Sequence, residues 1–308
     1  MITKLKNSNL VYRKLKTSDY DEFRKLFYLC FKKKISYDFF KWRYFNNKLS
    51  FCYGVFESSK LIANVAMISM KLNNNTNEKI FSRHSSMVLK KYRGHGVYSN
   101  LLNKVKNKIS KKVRFVVMWP NKNNYANFGI NKENIIKKKY YLYESNLKAK
   151  SKISKNTENN HIDQLVKYKK LIENKKNFFF KNFIYLKNRY LSYKKNDYLI
   201  NKFKFRNFTS FFILKRNKNK LGINYVILDH FGSSKLKSKH LTYLMNEQNK
   251  LIFLSNKKIQ TNKFRLLNYL NLKIGFIKKY NLRYQNKILS NKEIFLGDTD
   301  IFMTIGDN

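Results

Sequence analysis

Apolar positions along this chain change period from one stretch to the next. Residues 9–16, NLVYRKLK, predict a strand. Over 18–33, Phe23, Leu26, Phe27 and Cys30 recur at helical spacing, with Ser18 placed to cap the helix. YDFFKWRYF (37–45) predicts a second short helix. FCYGVFES (51–58) and LIANVAMISMKL (61–72) predict a hairpin with its tight turn at Ser59-Lys60, and IFSRHSSMVLK (80–90) the next strand. A helix over 97–111 presents Leu101, Leu102, Val105 and Ile109 on one face. VRFVVMW (113–119) reads as a short buried strand ended by Pro120, the only proline. A helix over 125–135 and a strand over 138–145 complete the order β-α-α-β-β-β-α-β-α-β. Paired strands followed by a strand-helix-strand crossover predict an α/β fold with a sheet of mixed direction.

KAKSKISKNTENN, after Leu147, is polar and without period, and reads as a linker. The second half of the chain echoes the first. HIDQLVKYKKLIEN (161–174) matches the first helix in kind. The aromatic segments 35–47 and 177–192 each end a helix in an Arg-Tyr pair, Arg43-Tyr44 and Arg189-Tyr190. Strands over 209–216 and 223–231, a helix over 236–249, a strand over 251–256, a helix over 263–273 and a last strand over 298–305 come next. The expected organisation is a domain over 1–148, a linker over 149–160 and a second domain of the same plan over 161–308.

Composition narrows the class. Hydrophobic residues make up 43% of the 308 and aromatics 16%, enough for packed cores rather than disorder. No apolar run approaches the roughly 18–20 residues of a membrane helix, and MITKLKNSNL lacks the apolar segment of a signal peptide, so the expected place is the cytoplasm. Cys30 and Cys52 have neither disulfide nor metal-site spacing, and no metal is expected. The net charge of +48 admits a polyanion partner such as nucleic acid. Lysines are spread along the whole chain rather than gathered in a stripe, which favours compositional bias over a nucleic-acid face. Either way the field draws anionic small molecules.

The chain has only nine glycines, and two of them, Gly94 and Gly96, sit in MVLKKYRGHGVYSNLL, between a predicted strand and a predicted helix. Backbone N–H groups of such a turn and of the helix's first residues lack intrahelical partners, and the helix dipole adds positive potential. A diphosphate fits that nest, with Arg93 and nearby lysines assisting. The P-loop pattern is absent, and Gly94-His95-Gly96 is not followed by the third glycine of a dinucleotide-binding turn.

The element order and this turn together resemble the GNAT fold, the superfamily of acetyl-CoA-dependent N-acetyltransferases. Its signature, [RQ]xxGx[GA] between the fourth strand and third helix, reads here Arg93-Gly94-His95-Gly96-Val97-Tyr98, with Tyr98 in place of a small residue. The resemblance covers about residues 9–147, and WPNKNNYANF (119–128) resembles the family's asparagine-led segment beside the cofactor. The two-copy plan resembles larger bacterial GNAT-like proteins of surface-polysaccharide synthesis, with the second lobe degenerate: HFGSSKLKSKH (230–240) holds one glycine and no arginine.

The resemblance implies acetyl-CoA as acyl donor and a small-molecule amine as acceptor, such as an amino-sugar nucleotide. The coenzyme's pantetheine arm would pair with Met87, Val88 and Leu89. Gly94, His95, Gly96, Val97, Tyr98 and Ser99, with Arg93, would hold the diphosphate; Asn121 and Asn124 would lie beside the arm. An amine attacks the thioester directly, so no nucleophilic triad is needed. His84 is the candidate base, expected to share a strand face with Ser86 and Val88. The family's usual proton-donating tyrosine falls on Phe128, which has no proton to give, and Tyr125, one helical turn earlier, is the substitute. The alternative from another class is a catalytically inactive GNAT-like scaffold that binds nucleic acid.

Overall fold

The computed structural model describes residues 10–46, 50–71, 79–109, 113–118, 135–145, 157–173, 183–192, 197–219, 222–233, 236–247, 251–255 and 264–276. The expected helix over 125–135 and the expected last strand over 298–305 lie outside these, as do Asn121, Asn124 and Tyr125. The chain forms two compact units, one drawn from Met1–Lys137 and Leu272–Asn281, the other from Lys138–Asn271 and Leu282–Asn308.

In the first unit β1 (Leu10–Lys14) lies antiparallel to β2 (Phe51–Glu57). Between them run α1 (Tyr20–Phe31) and α2 (Tyr37–Tyr44). Ser18 does not cap α1. A short 3-10 turn over Thr17–Asp19 leads into the helix, and the Asp19 carboxylate accepts the Lys16 N–H at 2.7 Å, a longer-reaching acceptor than a serine hydroxyl. Ser36 does cap α2, its Oγ accepting from Phe39 N–H. β3 (Lys60–Lys71) pairs with β2 across a two-residue turn, Ser58-Ser59, one position earlier than expected, with Ser58 at φ 53°. β4 (Lys79–Val88) is antiparallel to β3. After a 3-10 turn over Lys90–Tyr92 comes α3 (Val97–Ile109), and β5 (Val113–Met118) returns parallel to β4.

Helices cover both faces of this sheet. Opposed residues of an antiparallel pair share a face. Ala66 opposes His84, which meets Arg43 of α2; Met67 opposes Arg83, and these line a small cavity with Leu102, Val105 and Ile109 of α3. Phe23, Phe40 and Tyr44 form the aromatic centre of the α1–α2 layer, with ring centroids 4.7–5.7 Å apart.

The second unit repeats the plan. β7 (Thr157–His161), β8 (Tyr198–Phe205), β9 (Phe208–Asn219) and β10 (Gly222–Gly232) are successively antiparallel, and β11 (Leu251–Ser255) is parallel to β10. A 3-10 turn over Ile162–Tyr168 runs into α4 (Lys169–Glu173); α5 (Phe183–Leu186) continues as a π turn over Lys187–Leu191; α6 (Lys237–Glu247) precedes β11. Residues 157–160 thus belong to a strand and not to a linker. TENN is polar, and its strand state rests on the ladder to β8 rather than on apolar alternation.

Two further strands complete the units crosswise in sequence. β6 (Ile135–Ser145), the next strand after β5 along the chain, pairs antiparallel with β11 of the second unit. β12 (Phe264–Phe276), at the far end of the described chain, places Lys273–Phe276 antiparallel to Phe115–Met118 of β5 in the first. β12 corrects the expected helix over 263–273. The pair Leu266-Leu267 with Leu270 imitates a helical face, but from Leu270 the apolar residues alternate, Leu272, Ile274, Phe276, in strand period.

Candidate active site

β4 leaves the sheet's regular ladder halfway along its length. Its pairing with β5 ends at Ser82–Val117, so the edge beyond Ser82 has no strand partner among the described residues. On the β3 side one extra residue intervenes between the pairs Ala66–His84 and Asn64–Met87. Ser85, at φ 46°, is the bulge. The bulge shifts the phase of the strand. His84 stays on the α2 face with Ser82, whereas Ser86 turns to the α3 face, where its Oγ accepts from Tyr98 Oη–H at 2.6 Å. The expected single face for His84, Ser86 and Val88 is therefore broken at Ser85.

Past the bulge, Leu89 gives its N–H to Ile62 of β3. Alternation turns the backbone groups of Met87 the same way and those of Ser86 and Val88 outward, to the open edge. Of Met87, Val88 and Leu89, Val88 thus faces the gap. Its carbonyl already accepts from Arg93 Nε–H at 3.0 Å and the Cys30 thiol at 3.7 Å. Burial pushes the Cys30 thiol up from its ordinary range, leaving it a neutral donor.

The turn is held from below. Glu57 at the end of β2 accepts from the Tyr92 hydroxyl and lies 4.0 Å from Lys91 Nζ, fixing the 3-10 turn that delivers Arg93. Gly94 and Gly96 then adopt φ 82° and 73°, the left-handed region that glycine enters freely. A Cβ at either would meet nothing within 4 Å, so conformation rather than crowding selects glycine here. The first helical bond runs from Asn100 N–H to the Gly96 carbonyl. The N–H groups of Gly96, Val97, Tyr98 and Ser99 have no acceptor among the described residues. Val97 is buried, Tyr98 and His95 half-buried, and Arg93, Gly94, Gly96 and Ser99 exposed. Four N–H donors at the positive end of a 13-residue helix make an anion cradle.

In the second unit Gly232, at φ 95°, lies so near β9 that a Cβ would stand 2.6 Å from the Thr209 carbonyl oxygen. Ser233 N–H donates to that same carbonyl, and Leu236 N–H to the Ser233 carbonyl.

A buried polar cluster lies under α2. Arg43 Nη2 donates to His84 Nδ1 at 3.3 Å. Arginine can only donate, so Nδ1 carries the lone pair and Nε2 the proton, which goes to Ser82 Oγ at 2.8 Å. The ring is held neutral, in the Nε2–H tautomer. Tyr44 Oη and Ser85 Oγ share a 2.6 Å hydrogen bond, and Asn64 Nδ2 donates to the Ser85 carbonyl at 3.0 Å. Tyr44 and Asn64 thus pin the bulge from the α2 side, as Tyr98 pins the residue after it from the α3 side. Sequence reasoning singled out His84 and Tyr98 but missed Arg43, Tyr44, Asn64 and Ser85 as site residues. The one available signal was the Arg-Tyr pair recurring as Arg189-Tyr190, where Tyr190 Oη–H donates to Asp229 Oδ2 at 3.1 Å.

The glutamine variant His84→Gln keeps an acceptor for Arg43 while removing the titrating ring. If His84 accepts the proton of the attacking amine, turnover falls about 100-fold and the acid limb of the pH–rate profile disappears. Unchanged rate and profile would make it a packing residue.

Residues 11–131 match a family model described as an acetyltransferase (GNAT) domain. A search of curated proteins finds no match to the sequence. Among solved structures, the chain is similar to a GCN5-related N-acetyltransferase from Anabaena variabilis, at TM-score 0.65 and 10% identity over 88% of this chain and 73% of that one. A probable N-acyltransferase from Enterococcus faecalis matches with the same values. A putative acetyltransferase from Pyrococcus horikoshii matches at TM-score 0.55 and 12% identity, over 89% of this chain and 92% of that one. The fold is the GNAT fold, and the matched segment contains the open edge of β4 and the amide cradle. Residues 11–131 are thus similar to a GNAT acetyltransferase domain, and the solved structures share the fold of the chain.

Proposed function

We propose that the protein moves an acetyl group from acetyl-CoA to the amine of a small acceptor, an amino-sugar nucleotide of polysaccharide synthesis in the cytoplasm. The observation that carries the coenzyme assignment is the row of unspent amides at Gly96–Ser99 beside a strand edge without a partner. In this reading those amides and Arg93 hold the diphosphate. The outward backbone groups of Ser86 and the N–H of Val88 pair with the arm, and Met87 and Leu89 line it. Asn121 and Asn124, which lie outside the described residues, would stand alongside it. Acetyl-CoA supplies an activated thioester; the protein supplies alignment, desolvation and proton movement. His84 takes the amine's proton at Nδ1, its only lone pair, through a water that replaces the long contact to Arg43. Support for a sugar nucleotide is the electrostatic field, since coenzyme and acceptor would both be anions drawn to a chain of net charge +48.

The test is thermal unfolding with and without CoA, then a panel of amines assayed by thiol release. CoA at about 100 times its dissociation constant should add about 2.7 kcal/mol of stability. An amino-sugar nucleotide should then release thiol faster than peptide or simple amine acceptors. The same net charge would also serve a nucleic-acid-binding scaffold. No shift with CoA, together with a salt-sensitive shift on adding an oligonucleotide, would establish that reading instead.

A further inference from the structure

We propose that Tyr98 is the proton donor to the departing thiolate, with Ser86 as its hydroxyl partner. The proposal rests on the acyl-CoA reading above. Its starting point is the open edge of β4, which leads back from the turn before α3 past Val88 and Ser86 to the bulge at Ser85. Two tyrosines reach the strand there. Tyr44 meets Ser85 from the α2 side but is only 2% exposed and packed against Phe23 and Phe40. Tyr98 is half-buried, stands in the first turn of α3, and reaches Ser86, whose backbone faces the open edge. A phenol tied to the helix that supplies the amides is in register with them.

This also gives the aromatic at position 98 a purpose. A small residue there would leave Ser86 without its donor. At Phe128, where the resemblance expects a hydroxyl, the chain has none.

In the step itself the amine nitrogen bonds to the thioester carbonyl carbon, the C–S bond breaks, and its electron pair stays on sulfur. The Tyr98 hydroxyl proton passes to that sulfur, giving the free thiol. Ser86 Oγ–H, until then the acceptor, turns to donate to the phenolate. The proton shed by the amine, carried through water, restores the phenol. Atoms and charges balance without another reactant.

The test uses CoA itself, so it needs no knowledge of the acceptor. The thiol of bound CoA is titrated by its ultraviolet thiolate absorbance on wild type, Tyr98→Phe, Tyr44→Phe and Ser86→Ala. A hydroxyl aimed at the sulfur stabilises the thiolate. Wild type should therefore hold about ten times more thiolate than Tyr98→Phe at the same pH, a shift of one pH unit in the titration midpoint. Tyr44→Phe, which removes the contact to Ser85 but leaves the Tyr98 hydroxyl in place, should hold more thiolate than Tyr98→Phe. The general field of the chain is common to all four proteins and cancels. Equal titration of wild type and Tyr98→Phe overturns the proposal. If Tyr98→Phe fails to bind CoA, Ser86→Ala decides: it retains the phenol, and a titration no lower than that of free CoA overturns the assignment. Failure of wild type to bind CoA at all removes the acyl-CoA reading and this proposal with it, a result distinct from binding with an unshifted thiol.

Discussion

Gly96→Val is expected to abolish the stabilisation by CoA while leaving the folded protein intact. Gly96 stands at φ 73°, where a left-handed backbone costs an ordinary residue about 1–2 kcal/mol and a β-branched one more. The neighbourhood is open, so a Cβ at this position meets nothing within 4 Å. Relief comes from rotating the backbone toward negative φ. That rotation swings the Gly96 and Val97 N–H groups away from their common focus and shifts the acceptor of the first α3 bond, Gly96 to Asn100. The strain is local, because Tyr92 and Leu101, further along the chain on either side, stay anchored in the core. Thermal unfolding read by circular dichroism should show a transition within a few degrees of wild type that no longer moves with CoA. An unchanged CoA shift would mean that the diphosphate sits elsewhere. Gly232→Ala should behave in the opposite way: its Cβ would press on the Thr209 carbonyl, so the second unit loses stability and CoA binding persists.

Features written in local chemistry were legible in the sequence. The Gly94/Gly96 turn, the short helix over 37–45, the apolar face of α3 and the hairpin each arise from residues a few positions apart. What escaped depends on partners far along the chain. Nothing in Ser85-Ser86 announces a bulge. The extra residue exists only relative to β3, and its positive φ is held by Tyr44 and by Asn64. Polar 157–160 are extended because β8 offers a ladder. The second half of β12 is apolar on alternate positions, yet three leucines before it suggested a helix.

The crosswise use of β6 and β12 has a consequence for the site. In each unit the strand parallel to the fourth one is covered on its far side by a segment remote in sequence: β5 by Lys273–Phe276, β11 by β6. Among the described residues the pairing of β4 with β5 ends at Ser82–Val117, and Val117 pairs in turn with Ile274, far along the chain. The glycine turn before α3 is thus encoded locally, while the partners of β5 depend on long-range pairing.

Acid is expected to unfold the second unit through His240. The ring is fully buried between β8, β9 and α6: Nε2 meets Asn201 Oδ1 at 2.6 Å and Nδ1 meets Ser210 Oγ at 2.9 Å, with Phe212 and Phe203 against its faces. With Asn201 accepting, Nε2 carries the proton and Nδ1 must accept from the Ser210 hydroxyl. Ser210 Oγ in turn receives from His230 Nε2 at 2.9 Å. Adding a proton at Nδ1 destroys this chain and places a cation among aromatic rings. Desolvation accordingly pushes His240 down to about 3 from an ordinary value of 6.5. The unfolded chain therefore binds a proton below pH 6.5 that the folded one refuses. The associated stability is fully present above that pH and drains as pH falls toward 3, by about 1.4 kcal/mol per unit and on the order of 4–5 kcal/mol in all. Carboxylates also lose stabilising ionisation in this window, so the difference between wild type and His240→Gln isolates the histidine. The glutamine can bond Asn201 and Ser210 but binds no proton. Urea unfolding at stepped pH should show wild type converging on, then falling below, the variant between pH 6.5 and 4. Parallel curves would mean that His240 charges in place, with the Ser210 hydroxyl turned to accept from its Nδ1–H.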